Sequence, residues 1–554
     1  MTLERTVIAE VAWLCATIVA YRELATDPGC RLENEIGFDR RRGNGRCWRR
    51  IDYPATQKVL CYLEGEQGGM EGYFGDFRLA NWLFQRGLAA IYLIAFLVAL
   101  NQFPALLGEH GLLPVQEFVK GAPFAQSPSL FYLGYSDRLF TLATWSGIIL
   151  AVLVLSGALG TASWWFSSAT WLALFVLYLS IVNVGQTFYA FGWELMLVEA
   201  GFFAAFLGPA ATKPSLIPVL ALRWMLFRLM LGGGLIKLRN DPCWHNLTCL
   251  RFHFETQPLP NPLSWYFHEL PVPWLKAGVL FNNVLEVVAP FGLLGPQRVA
   301  AVAGLLVIAH QLMLISSGNF AFLNWLTIVL SLTALSDRWL KWIVRVKLPA
   351  TPFSGIPRPI LYLLAAATVL LSIQPVLNLI SRNQVMNDSY NSLRLVNSYG
   401  MFGTITKERY EIVIEGTADA QVTPDTRWIA YEFKAKPGNV RRRPPQIAPY
   451  HLHLDWQMWF QPFSVALTGD GLIVPGYAPW FLRFVNKLLE GDVPTRRLLA
   501  PGPFTSAPPT YIRARLYRYR FTAAAERRRT GDWWHRELVG DYLPPMARRA
   551  HQEP

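Results

Sequence analysis

Between Asn81 and Ile380 apolar runs of about twenty residues recur with few charges among them, and this pattern leaves few folds open. A bilayer's hydrocarbon core is about 30 Å thick, so one helix needs about 20 apolar residues to cross it. Runs of that kind lie near 83–104, 139–160, 164–183, 189–208, 215–236, 276–295, 298–318, 320–336 and 358–380. The expectation is an α-helical polytopic membrane protein with about 8–9 transmembrane helices. Composition agrees: 16% of residues are charged, against about 25% in soluble domains.

After Ser392 the periodicity changes. "YEIVIEG", "WIAYEFKAK" and "HLHLDWQMWF" alternate or cluster as strands do, with turn residues between them. "WFLRFVNKLLEGD" reads as an amphipathic helix, "YIRARLYRYRFT" as a strand and "GDWWHRELVGDYLPP" as an aromatic tail. Four segments follow. Residues 1–80 form an atypical N-terminal extension, and 81–380 a transmembrane helical domain with an outward loop at 237–275. Residues 381–475 form a β-rich extramembrane domain, and 476–554 a helix with a basic and aromatic C-terminal tail. Within the first segment, Val7–Tyr21 is apolar but short; "MTLER" is mixed in charge and no cleavage site stands out, so it reads as a weak or amphipathic helix.

The net charge is +13 (51 Lys and Arg, 38 Asp and Glu). Its arginines cluster at Arg40–Arg50 and Arg338–Arg358, which in a membrane protein mark cytoplasmic loops rather than a nucleic-acid footprint. Counting nine spans from there puts the extension 1–80 inside. It puts the loop around residues 237–275 and the C-terminal domain on the lumenal or extracytoplasmic side.

That sidedness bears on Cys243 and Cys249 in "DPCWHNLTC". In an oxidising compartment a local disulfide is the favoured reading. Buried free thiols and a metal site remain as alternatives. The spacing suits neither a zinc pair nor a C-x-x-C redox motif. Cys15, Cys30, Cys47 and Cys61 fall on the inner side and read as free thiols. Asn246 heads an N-x-T sequon but sits within the cysteine pair and close to the membrane, so it reads as unused.

Ionisable side chains at span depth are costly unless paired. The sequence places Glu194, Glu199, Arg223, Arg228, Glu286 and His310 there. Two Glu–Arg pairs locking neighbouring spans are one reading. A polar cavity lined by Glu194, Glu286 and His310, taking a lipid or peptide segment, is the other. Gly232–Gly234 allow close helix approach, and Asn324 and Trp325 are candidates to face the polar set. His451 and His453 form an H-x-H, a weak metal signal against the more common pair of surface histidines. No G-x-S-x-G, Walker loop, dinucleotide fingerprint or paired metal motif is present, so no catalytic residue, metal ligand or cofactor is assigned.

Several blocks resemble one family. "FGWELMLVEAGFFAAFLGP", "LRWMLFRLMLGGGLIKLRNDPCWHNLTCLRFHFETQPLPNPLSWYFHELP", "NNVLEVVAPF", "SSGNFAFLNWLTIVLSL" and "LRLVNSYGMFGTITKERYEIVIEGT" are similar, in collinear order, to lipase maturation factors. The resemblance runs from about Asn81 to about Pro462; residues 1–72 depart from it, and His253 stands where a tyrosine is expected. It implies a chaperone-like multi-pass protein, in the ER membrane if eukaryotic and the cytoplasmic membrane if bacterial. Its partners would be membrane lipids and secreted clients such as lipoprotein and hepatic lipases, with no nucleic acid and no established catalytic site. On this reading Trp244, Phe254, Glu255, Gln257 and Trp265 are the client-loop candidates, with exposed aromatics giving sequence-tolerant contact. The competing reading is an intramembrane enzyme using Glu194, Glu286 and His310 on a lipid or peptide substrate.

Overall fold

The computed structural model describes residues 75–348, 355–468 and 471–548. Most of the extension 1–80, with its four cysteines and the Val7–Tyr21 segment, lies outside the described residues.

Among the described residues, six helices are long and apolar enough to cross a membrane: α1 (Arg78–Leu107), α2 (Asp137–Ser156), α3 (Trp164–Val184), α5 (Leu216–Asn240), α7 (Gln297–Ser317) and α9 (Arg358–Ile380). The other three apolar runs fold differently. α4 (Gly192–Ala204) has 13 residues, almost all buried. α6 (Val272–Val287) stops before a separate turn, Ala289–Leu293, because Pro290 cannot continue the hydrogen-bond ladder. α8 (Leu323–Ser331) is cut short on its N-terminal side by "SSGN".

Local signals set several boundaries. Ser136 caps α2 by accepting from the Leu139 N–H at 3.1 Å, and Gly157 ends it in the left-handed region. α1 has no local cap. Asp337, more than 250 residues away, accepts from the Leu79 and Ala80 N–H groups at 2.7 and 3.3 Å.

α5 is the central post. In its most apolar window 89% of residues are buried, against 17% for α9, so α9 faces outward and α5 must satisfy every polar side chain internally. The glycines permit this crowding. A Cβ on Gly232 would lie 2.3 Å from the Tyr399 carbonyl oxygen, and one on Gly234 2.9 Å from Glu286.

The C-terminal region holds a four-stranded antiparallel sheet in the order β2 (Ile429–Ala430), β1 (Arg409–Thr417), β5 (Tyr511–Phe521), β6 (Trp534–Ala547). A separate hairpin joins β3 (Ala466–Thr468) to β4 (Gly471–Ile473). β1 and β5 pair from Arg409 opposite Tyr519 to Thr417 opposite Tyr511. The sheet thus draws strands from both sides of residue 475. "GDWWHRELVGDYLPP", read as a tail, supplies the edge strand β6, where Pro544 and Pro545 forgo ladder hydrogen bonds at little cost. The amphipathic helix is present as α10 (Pro479–Leu489), burying Trp480, Phe481, Phe484, Val485, Leu488 and Leu489.

"HLHLD" was expected as a strand and is not one. His453 begins a short helix, His453–Met458, and Asp455 accepts from the Ala435 and Lys436 N–H groups at 2.6 and 3.1 Å. Both histidines are buried rather than on the surface, with the His451 ring packed against Trp193 and Trp456.

Candidate functional site

The loop leaving α5 is pinned from its first residue. Asp241 accepts from the Cys243 N–H at 2.9 Å, the Ile405 N–H at 3.0 Å and Lys407 Nζ at 3.1 Å. Burial pushes its carboxyl up, but those three donors outweigh burial and hold it below the usual aspartate range. A disulfide joins Cys243 and Cys249, whose Cα atoms are 4.9 Å apart. Asp241 lies close to both sulfurs. The sulfurs are bonded to each other and the carboxylate is already hydrogen-bonded, so these three do not make a metal site.

The "FETQPLPNP" stretch is held by side-chain and backbone groups from three other regions, β1, residues 317–319 and residues 521–522. The buried Arg409 of β1 donates to the carbonyls of Glu255, Gln257 and Pro258 at 2.9, 2.5 and 2.9 Å and pairs with Glu411 at 2.5 Å. Gln257 Nε2 donates to the Ser317 carbonyl at 2.9 Å, and Asn319 Nδ2 to the Pro260 carbonyl at 3.1 Å. Glu255 accepts from the Phe521 N–H at 2.7 Å, and Trp265 Nε1 donates to the Thr522 carbonyl at 2.8 Å. Burial raises the Glu255 carboxyl above its ordinary range, partly offset by the Phe521 N–H and Arg409. Burial, helped by the charge of Lys237, lowers the His253 imidazole to about 3.

The loop is therefore an internal wedge between helices and sheet, not a free arm. Trp244, Phe254, Gln257 and Trp265, expected as exposed contacts, are buried at 3, 5, 2 and 7%. Their indole and amide groups find partners on Phe402, Ser317 and Thr522, and the sheet packs over Trp265.

The intramembrane polar set divides. Glu199 pairs with Arg228, and its other oxygen accepts from Asn397 N, Asn397 Nδ2 and Tyr399 Oη at 2.9, 2.9 and 2.8 Å. Glu194 bonds Tyr178 and Trp193 instead of an arginine. Arg223 donates to the Thr333 carbonyl at 2.8 Å and to Gln297 Oε1 at 2.9 Å. Of the two expected Glu–Arg pairs one forms, because the offset of about 140° between residues five apart sends Glu194 and Arg223 to different neighbours.

A second ion pair had no counterpart in the sequence reading. Lys237 Nζ lies 2.6 and 2.7 Å from the two Glu286 oxygens. Asn282 Nδ2 donates to Glu286 at 3.2 Å, and its Oδ1 meets His310 Nε2 at 3.1 Å. Asn324 donates to Gln311 at 2.7 Å. These groups line one side of a cavity of about 490 Å³ between α5, α6, α7, α8 and the wedge. Its remaining walls are apolar, among them Leu229, Met230, Phe254, Trp274, Phe281 and Leu323. Glu286 and His310 are thus brought together; Glu194, Arg223 and Arg228 are not part of this lining. Trp325, the other candidate for the polar set, is 37% exposed.

A bundle of apolar helices around buried ion pairs, with an antiparallel sheet docked on one loop, defines a multi-pass integral membrane protein with a β-containing C-terminal domain. Residues 79–342 match the lipase maturation factor transmembrane domain, and residues 395–544 match the lipase maturation factor C-terminal domain. Lipase maturation factor 1 of Bos taurus is 40% identical over 515 residues, covering 86% of this chain and 90% of the bovine one. The Mus musculus protein of that name is 39% identical, over 85% of this chain and 88% of its own. Lipase maturation factor 2 of Xenopus tropicalis is 29% identical over 85% of this chain and 83% of its own. No solved structure matches. The chain belongs to the lipase maturation factor family.

Proposed function

We propose that this protein is a membrane-embedded maturation factor that assists the folding and assembly of secreted clients, lipases among them. The observation that carries this reading is the 40% identity to a lipase maturation factor across both the helical and the sheet regions. The Cys243–Cys249 bond favours placing the loop and C-terminal domain on the lumenal or extracytoplasmic side, in the ER membrane or a bacterial cytoplasmic membrane. With Trp244, Phe254 and Trp265 buried, client contact falls to exposed apolar residues in and beside the wedge: Leu263 and Tyr266 (43 and 46% exposed), and Phe460 and Phe463 (37 and 51%). A rigid platform of this kind lowers the entropic cost of holding a partly folded client.

The test is co-expression with a secreted lipase in cells lacking their own maturation factor. Secreted lipase activity per unit lipase mass rises if the reading holds. Unchanged specific activity, with the protein correctly inserted, sinks it. The enzymatic alternative keeps two of its three residues, Glu286 and His310, at one cavity. It predicts that Glu286→Gln abolishes client maturation while leaving the protein folded; the scaffold reading predicts retention.

A further inference from the structure

The cavity has a polar side and an apolar remainder, and the two have a definite order along α5. Lys237 lies three residues from the end of α5, about 4.5 Å along its axis. Leu229 and Met230, also in the lining, lie about two turns deeper. Apolar lining thus lies on both sides of the polar groups: Leu229 and Met230 run inward from Lys237, while Trp274 and Phe281 precede Asn282 and Glu286 along α6 and Leu314 follows Gln311 along α7, so an apolar chain can extend from the polar groups in either direction. Three lining residues are themselves outward-facing: Leu270, Trp274 and Phe281 are 40, 70 and 38% exposed. They give the cavity an exposed apolar edge around the start of α6. The volume falls within the range of about 300–1,000 Å³ typical of small-molecule sites.

Charge selects among lipids. Lys237 and Glu286 neutralise each other within the lining, and two of the three ammonium hydrogens are committed to the carboxylate oxygens. No cation is left over for a phosphate or a fatty-acid carboxylate. What remains are neutral amides: Gln311 Nε2 reaches His310 Nδ1 only at 3.4 Å and keeps a second hydrogen to donate. From this geometry we propose that the cavity binds the acyl chain of an uncharged glyceride-type lipid, its hydroxyl or ester oxygens facing Gln311 and Asn324. The site goes beyond the client reading and is tested without any client, so its failure leaves that reading standing.

The experiment reconstitutes the full chain in phosphatidylcholine vesicles with a monoacylglycerol carrying a photoactivatable diazirine in its chain. Labelled peptides are then mapped. Label on residues 229–237 and 310–327, displaced by unlabelled monoacylglycerol and poorly by palmitate, is the expected result. Gly233→Leu should abolish it, since a Cβ there stands 3.9 Å from Glu286 without a clash and the larger side chain fills the cavity. Leu314→Trp, from the opposite wall, should do the same, and Gln311→Leu should erase the preference for monoacylglycerol. Label confined to the outer face of α9 overturns the proposal in the unmodified protein, whatever the variants do. Palmitate competing as well as monoacylglycerol also overturns it, as does displacement by an apolar peptide alone, which would make the cavity a client pocket.

Discussion

One helix carries two buried ion pairs nine residues apart, and they are built for different ends. At Arg228 the carboxylate of Glu199 is saturated: an arginine, a backbone N–H, an amide and a phenol all point at it, three of them from residues 397–399. At Lys237 the carboxylate of Glu286 has only Lys237 and Asn282, and the pair lines a cavity. The first centre ties the segment after α9 into the middle of the bundle. The second keeps a polar surface beside open space. Burial of charge alone does not distinguish them; what surrounds the charge does.

Breaking the saturated centre should have the largest effect. Glu199→Leu leaves Arg228 unpaired in a closed interior, which costs about 3–5 kcal/mol. The expected outcome is loss of monodisperse protein in detergent, partly rescued by Arg228→Met in the same chain. Glu286→Gln should cost less, about 1–2 kcal/mol, because the amide still accepts from Lys237 and the pair borders a cavity rather than packed side chains. If the two variants lower the melting temperature equally, the distinction between a locked pair and a cavity pair fails.

Arg409 is a second saturated centre and should behave like the first. Arg409→Met removes three carbonyl contacts to the wedge while Lys436 still neutralises Glu411. A loss of about 3 kcal/mol is expected, with new protease cleavage between residues 250 and 270. Replacing both cysteines by serine should cost about 2 kcal/mol, since the closed loop is short, and leave that cleavage pattern unchanged. Earlier cleavage in the cysteine variant than in the arginine variant would reverse the ranking and make the disulfide the main hold on the wedge.

Much of this frame could be read in the sequence. Length and hydropathy carry the six long helices, because crossing a bilayer imposes one length. Period two carries β1 and β5. The three shorter runs were opaque because hydropathy reports burial in protein and burial in lipid alike. α4 is apolar since it is packed inside the bundle. Charge and hydropathy point to Glu199 and Arg228 and to Glu286, His310 and Asn324, but not to Lys237, which reads as a span's end, nor to Asn282 and Gln311, which carry no charge. Arg409 was unreadable: its partners are backbone carbonyls some 150 residues away, which no side-chain pattern announces.

An effect confined to the acid limb is the most pointed test of how the cavity is solvated. His253 lines it, and burial with Lys237 nearby holds its imidazole at about 3. His453, buried in the C-terminal domain away from that lining, is also held at about 3. A depressed histidine costs stability on the acid side: below about 6.5 the unfolded chain takes up a proton that the folded chain refuses, until about pH 3. Each such residue should remove about 1.4 kcal/mol per pH unit in that window. His253→Phe should therefore flatten the fall in melting temperature between pH 7 and 5, leaving the share that belongs to the other buried histidines outside the spans, His451 and His453 among them. An unchanged acid limb would mean that His253 already titrates near its ordinary value because water reaches it. The lining around Lys237 would then be wet throughout, and the contrast with the closed Glu199 centre would be sharper than the hydrogen bonds alone convey.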